Sequence, residues 1–217
     1  SVAVVFSDIK DEFIQDLERK VQKLKFGLDD LNSNSFGPLV SKEHLESVKN
    51  YIDMSEGEGA RVLVDGRDFL KRKNSNNGYF LGPTIIDNVS SNMKSYQNEI
   101  FGPVLQIMEV NELSDAIKLI NNNRFGNGCC VFTRNGEQAR TFSENVEIGM
   151  VGVNIPLPVP TSFHSFGGWK NSLFGDLNIY GPDGVRFYTQ RKTITQRWPS
   201  SGSSKGVDLS MPNNLKQ

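Results

Sequence analysis

The sequence predicts an α/β fold, a mostly parallel sheet flanked by helices. Three observations predict it. Short apolar runs bounded by Gly, Pro, Asp and Asn recur along the chain, as buried strands do. Between them lie stretches whose apolar residues are spaced three and four apart, the mark of a helix face. The two kinds of segment alternate at βαβ spacing, without a tandem repeat, and that alternation favours parallel pairing. A chain of 217 residues suffices for one large domain or two small ones.

Val2 to Phe6 is a dense apolar run, expected as a strand buried on both faces and ended by Ser7-Asp8. From Ile9 to Lys25 the residues Phe13, Leu17, Val21 and Leu24 form a helical face, with acids early and lysines late as the helix dipole prefers. Gly27 to Pro38 is polar and reads as a loop. Ser41 is the expected N-cap of a helix to about Ser55, with Leu45, Val48 and Ile52 inward and Gly57 and Gly59 as the stop. Arg61 to Val64 is a short strand. Asp68 to Gly78, with its basic cluster and Asn-rich end, is an exposed excursion; a solvated loop outweighs a phosphate patch there. Thr84 to Ile86 and Val104 to Val110 are strands. Asn111 or Ser114 is expected to cap a helix carrying Leu113, Ile117 and Ile120, closed by Asn121-Asn122-Asn123. Cys129 to Thr133 is a strand, Gly136 to Val146 a helix with Ala139 and Phe142 inward, and Met150 to Asn154 another strand.

The alternation fails from Pro156 to Tyr180. Three prolines within five residues and the pair Gly167-Gly168 make a long shaped loop, and loops of that length are functional or disordered. The aromatics Phe163, Phe166, Trp169, Phe174 and Tyr180 argue against disorder. Val185 to Trp198 alternates as a long strand, its charge suggesting an edge or a pairing with another subunit. Ser200 to Gln217 is a polar tail with the composition of a mobile end.

Composition narrows the function. The 24 basic residues nearly balance the 25 acidic ones, which disfavours a nucleic-acid binder. No apolar run approaches the roughly 20 residues of a membrane helix, and no N-terminal signal layout is present. The two cysteines, Cys129 and Cys130, are adjacent, so there is no disulfide framework. They lie far from both His44 and His164, so no zinc spacing exists and no metal site is expected. Opening an apolar strand, with no His or Lys beside them, they read as buried structural thiols and not as nucleophiles. Gly126-Asn127-Gly128 has two glycines of a dinucleotide fingerprint but precedes a strand where the fingerprint follows one, so it is assigned to a turn. No catalytic residue is identified. The chain opens on Ser1 inside a strand, from which we expect the C-terminal piece of a longer polypeptide.

The most informative stretch is Gln97-Asn98-Glu99-Ile100-Phe101-Gly102-Pro103-Val104. A carboxylate and a ring stand two residues apart at the mouth of a strand, held by a Gly-Pro corner. A carboxylate there can accept both hydroxyls of a sugar's vicinal diol, and a ring beside it can cover a flat heterocycle. Composition alone favours a surface Glu with Phe101 in the core. The hexapeptide from Glu99 to Val104 resembles the signature of the aldehyde dehydrogenase superfamily. The resemblance runs from about Ser1 to Trp198 through Phe36-Gly37-Pro38-Leu39-Val40, Gly82-Pro83-Thr84-Ile85, Gly126-Asn127-Gly128, Gly152-Val153-Asn154 and Phe166-Gly167-Gly168-Trp169-Lys170. It looks most like the CoA-acylating methylmalonate-semialdehyde dehydrogenase branch in Asn154 to Pro160 and Phe187 to Thr195.

That resemblance implies a division of the chain and a set of roles. Residues 1–180 would be a partial catalytic domain, 181–199 an oligomerisation strand and 200–217 the tail, the whole assembling as a homo-oligomer, expected to be a tetramer. Glu99 would hold the nicotinamide ribose of NAD, with Phe101 against the same end of the cofactor. Asn154 and Phe166 would line the aldehyde pocket, although Phe166 as a plain loop anchor carries equal weight. The family's nucleophilic Cys would lie just ahead of Ser1, so this chain alone is expected to be inactive. In the implied reaction a cysteine thiolate attacks a semialdehyde, hydride passes to NAD, and coenzyme A takes the acyl group with loss of carbon dioxide, giving propanoyl-CoA or acetyl-CoA. Two other readings remain: a non-catalytic interaction module derived from such an enzyme, and a branch in which water accepts the acyl group. By resemblance the expected location is the mitochondrial matrix in a eukaryote and the cytoplasm in a bacterium.

Overall fold

The computed structural model describes residues 1–25, 37–68 and 78–198. Its main sheet has four strands in the order β1-β4-β3-β2: β1 Val2–Phe6, β4 Val104–Val110, β3 Thr84–Asp87 and β2 Arg61–Val64. β4 runs parallel to β1, with Val2 opposite Gln106 and Phe6 opposite Val110, and parallel to β3, with Thr84 opposite Val104. β2 is antiparallel to β3, with an irregularity between Val62 and Val64. The expected sheet is therefore mixed, and two further pairs stand apart from it. β6 Gly128–Val131 is parallel to β7 Met150–Val153, and β5 Phe125–Gly126 is antiparallel to β8 Trp169–Lys170. Being flanked on both sides, β4 reads as a nearly unbroken apolar run. β1 was expected to be buried on both faces, but it lies at the sheet edge with one partner strand, and only Val5 is buried.

Strand alternation sorts the side chains into two layers. Ile85 and Ile107 face α1 Lys10–Val21, where Val5, Ile14 and Val21 complete one core. Ile86, Val104 and Met108 face α2 Lys42–Gly57, where Leu45, Val48 and Ile52 complete another. Ser41 caps α2 as expected, its hydroxyl accepting from the His44 amide at 3.1 Å. α1 starts one residue later than expected, after a 3-10 turn at Ser7–Ile9. α4 Leu113–Asn122 joins this unit to the next: Leu119 packs on the α2 core, while Leu113, Ile117 and Ile120 pack with Phe142, Val146 and Ile148 around α5 Gly136–Asn145. Neither expected residue caps α4. Its N-cap is Glu112 without a side-chain bond, because Asn111 is taken by the Ser7 hydroxyl at 2.9 Å.

The strand expected over 185–198 is absent. Gly181–Phe187 is a helix, α6, and 189–198 has no regular structure. The physical reason is that an extended segment needs a neighbour for its backbone groups, and none of the described strands pairs with it. Pro182 in the first turn and Asp183 beside it favour a helix start instead. Most of the stretch expected as a loop over Gly27 to Pro38, most of the expected basic excursion and the expected polar tail lie outside the described residues, as does Phe36 of the first matched motif. No helix among the described residues is long and apolar enough to cross a membrane.

Candidate functional site

The short helix α3, Lys94–Gln97, delivers the chain to Asn98 in extended geometry. From there side chains alternate: Ile100 is buried in the α2 core, while Glu99 and Phe101 point to solvent. Phe101 is 77% exposed, so the reading that puts its ring in the core fails. Its backbone φ is +53°, a left-handed geometry costing about 1–2 kcal/mol for a residue with a Cβ. Three contacts hold the corner in place. The His44 ring Nε2 donates to the Phe101 carbonyl at 2.8 Å. Gly102 packs so closely on α2 that a Cβ there would sit 2.9 Å from both γ-methyls of Val48. The Thr84 amide donates to the Pro103 carbonyl at 2.8 Å. Glu99 and Phe101 are therefore exposed side chains on a fixed backbone.

The Ser1 carbonyl accepts from the Gln106 amide at 3.0 Å, which fixes the start of β1 beside β4. An exposed carboxylate near an exposed ring has the chemistry to accept sugar hydroxyls and to cover a flat heterocycle. A cleft of about 420 Å³ between α3 and α4 adjoins the corner, and in it Arg124 donates to the Asn98 carboxamide oxygen at 2.8 Å.

The other two candidates belong to a separate group. Asn154 follows β7 with φ +55°, and its carboxamide is committed to Thr133, accepting from the amide at 2.9 Å and donating to the carbonyl at 3.0 Å. It is a brace between the ends of β6 and β7. Phe166 is half-buried and stacked on Tyr180, centroids 4.8 Å apart with rings 8° from parallel. That stack anchors the 156–180 loop on the start of α6, where the Gly181 amide donates to the Ser162 carbonyl and the Asp183 amide to the Ser165 hydroxyl. Glu99 and Phe101 precede β4; Asn154 and Phe166 lie beyond β7 and are set by a different pair of strands.

The cysteines are half-buried, less deeply than the sequence suggests, and both thiols are shifted away from reactivity. Burial pushes Cys129 up to about 11, helped by the charge of Cys130, and burial raises Cys130 against a backbone hydrogen bond from Gly152. Among the described residues no group of three or more His, Cys, Asp or Glu could hold a metal ion. His44 is the site residue that sequence reasoning missed. Its bond to Phe101 spans 57 residues, and no local pattern signals it.

The profile of the Aldehyde dehydrogenase family matches residues 1–194. The chain belongs to the aldehyde dehydrogenase family. Among aldehyde dehydrogenases it is 49% identical over 213 residues to malonate-semialdehyde dehydrogenase of Pseudomonas aeruginosa, covering 98% of this chain and 43% of that one. It is 46% identical over 198 residues to the enzyme of the same name from Bacillus cereus, covering 91% of this chain and 40% of that one. Its fold superposes on crystalline methylmalonate-semialdehyde dehydrogenase of Oceanimonas doudoroffii with a TM-score of 0.88 and 55% identity, over 93% of this chain and 41% of that one. A candidate methylmalonate-semialdehyde dehydrogenase of Sinorhizobium meliloti, complexed with NAD, gives a TM-score of 0.87 and 43% identity over 92% and 41%. This aldehyde dehydrogenase chain thus spans about two-fifths of the length of these relatives.

Proposed function

We propose that this chain is the C-terminal part of an NAD-dependent, CoA-acylating dehydrogenase of malonate or methylmalonate semialdehyde, and that it holds the nicotinamide-ribose end of the cofactor. The observation that carries the reading is the exposed pair Glu99 and Phe101 on a braced corner. Glu99 would accept the two ribose hydroxyls, and Phe101 would cover the apolar face of the ring beside them. When bound, NAD supplies the hydride acceptor that an aldehyde oxidation requires. The Phe166–Tyr180 stack would form one wall of the aldehyde pocket and help to exclude water. Both cysteines of this chain hold their protons too tightly to attack a carbonyl near neutral pH, so the nucleophile would come from the part of the polypeptide that the longer relatives possess and this chain does not cover. The names of the relatives support the semialdehyde as substrate.

The test is an NADH-formation assay on the full-length protein with malonate and methylmalonate semialdehydes, with and without coenzyme A. Expected are CoA-dependent turnover, acetyl-CoA or propanoyl-CoA by mass spectrometry, and none from this chain alone. Turnover that gives the free acid without coenzyme A would assign the hydrolytic branch. Glu99→Gln, which keeps shape and loses the charged acceptor, is expected to lower kcat/KM for NAD by about tenfold or more. An unchanged value would remove Glu99 from the cofactor site.

A further inference from the structure

We propose that His44 is a positioning residue for the cofactor clamp: its ring N–H, donated to the Phe101 carbonyl, holds the left-handed backbone that presents Phe101 and Glu99 together. This role rests on the reading of Glu99 and Phe101 as the ribose and ring contacts. A carbonyl can only accept, so the 2.8 Å contact requires that Nε2 carry the proton, which fixes the imidazole tautomer when the ring is neutral. Phe101 needs such a restraint, because a non-glycine residue at φ +53° returns to ordinary geometry when nothing opposes it. The donor is itself held. His44 lies three residues after the N-cap, its amide bonded to Ser41, and Val48 one turn later touches Gly102. One helix face thus grips two consecutive residues of the corner. The ring is not what docks α2, since Leu45, Val48 and Ile52 are buried and do that work. Loss of the His44 bond is therefore expected to loosen the clamp and leave the fold intact.

The experiment uses the full-length protein with His44→Leu, which removes the donor, His44→Gln, which restores one, and Glu99→Gln as the reference. NAD affinity is measured by calorimetry, KM for NAD and for the aldehyde by steady-state kinetics, and the melting temperature by calorimetry. His44→Leu is expected to weaken NAD binding about five- to tenfold, leave the aldehyde KM unchanged, and keep the melting temperature within about 3 °C. His44→Gln is expected to recover most of the affinity. If His44→Leu binds NAD as the parent does while Glu99→Gln does not, the positioning role is refuted and the clamp stands. If both variants bind NAD as the parent does, the clamp reading fails and the role of His44 falls with it. A loss that His44→Gln does not restore, or one that tracks the melting temperature, would show His44 to be structural only.

Discussion

At the scale of single residues, the structure separates chemistry from packing. Cys129 is the chain's most tempting nucleophile by residue type, yet its thiol is pushed up to about 11 by burial. The proton stays on in the folded protein at pH values where an unfolded thiol has lost it. At pH 8 Cys129 is expected to alkylate about a hundredfold more slowly than a free cysteine, and unfolding should abolish the protection. Peptide mass spectrometry after a timed iodoacetamide pulse reads this out; full labelling of the folded protein within the pulse would contradict it. The same shift makes Cys129 favour the folded state above the unfolded value near 9 less and less, so its contribution is whole below that value and lost as pH rises through it toward the folded one. Other residue-scale features were not legible in the sequence. Asp87 is only 2% exposed and pairs with Lys10 at 3.0 Å, while Lys170 reaches back 49 residues to the Asn121 carbonyl at the end of α4. Such pairings depend on the path of the chain, which local spacing does not contain. The turn that carries Glu99 and Phe101 was legible because a Gly-Pro corner ahead of an apolar run is a local pattern; the exposure of the Phe101 ring was not.

At the scale of elements, periodicity carried most of the information. The α2 face was readable from Ser41, Leu45, Val48 and Ile52, and β4 from its apolar run, because capping and alternation are local physics. The antiparallel β2 and the division into three sheets were not readable, since pairing partners lie far apart in sequence. The segment after Tyr180 shows the converse error: alternating residues look like a strand, but alternation without a partner gives no hydrogen bonds. Glycines at element junctions have a concrete cause. A Cβ on Gly149, just before β7, would lie 1.9 Å from the Gly167 carbonyl oxygen, so only glycine lets the 156–180 loop close over that strand. Gly149→Ala is expected to destabilise the protein by about 3 kcal/mol, measured by urea unfolding. A midpoint equal to the parent's would mean that the loop does not pack there.

At the scale of the whole molecule, exposed apolar residues continue from the 156–180 loop into the last described segment. Val185, Phe187, Tyr188, Ile194 and Trp198 are all exposed, the last at 87%. Beyond α6 the chain over 189–198 is exposed and has no regular structure, which suits addition to the sheet edge of a second copy, and we propose it as the oligomerising segment. Truncation of the full-length protein after Phe187 is expected to reduce the assembly to smaller species by light scattering, with the tetramer as the proposed parent state. An unchanged mass would place the contact elsewhere. Within one subunit, α4 decides how the molecule behaves under stress. Because it lends Leu119 to one apolar cluster and its other side to the next, neither half can melt without stripping a wall from its neighbour. Heat or thermal fluctuation would then strike the corner that carries Glu99 and Phe101 and the 156–180 loop as a single event, and the protein would lose both together instead of failing by degrees.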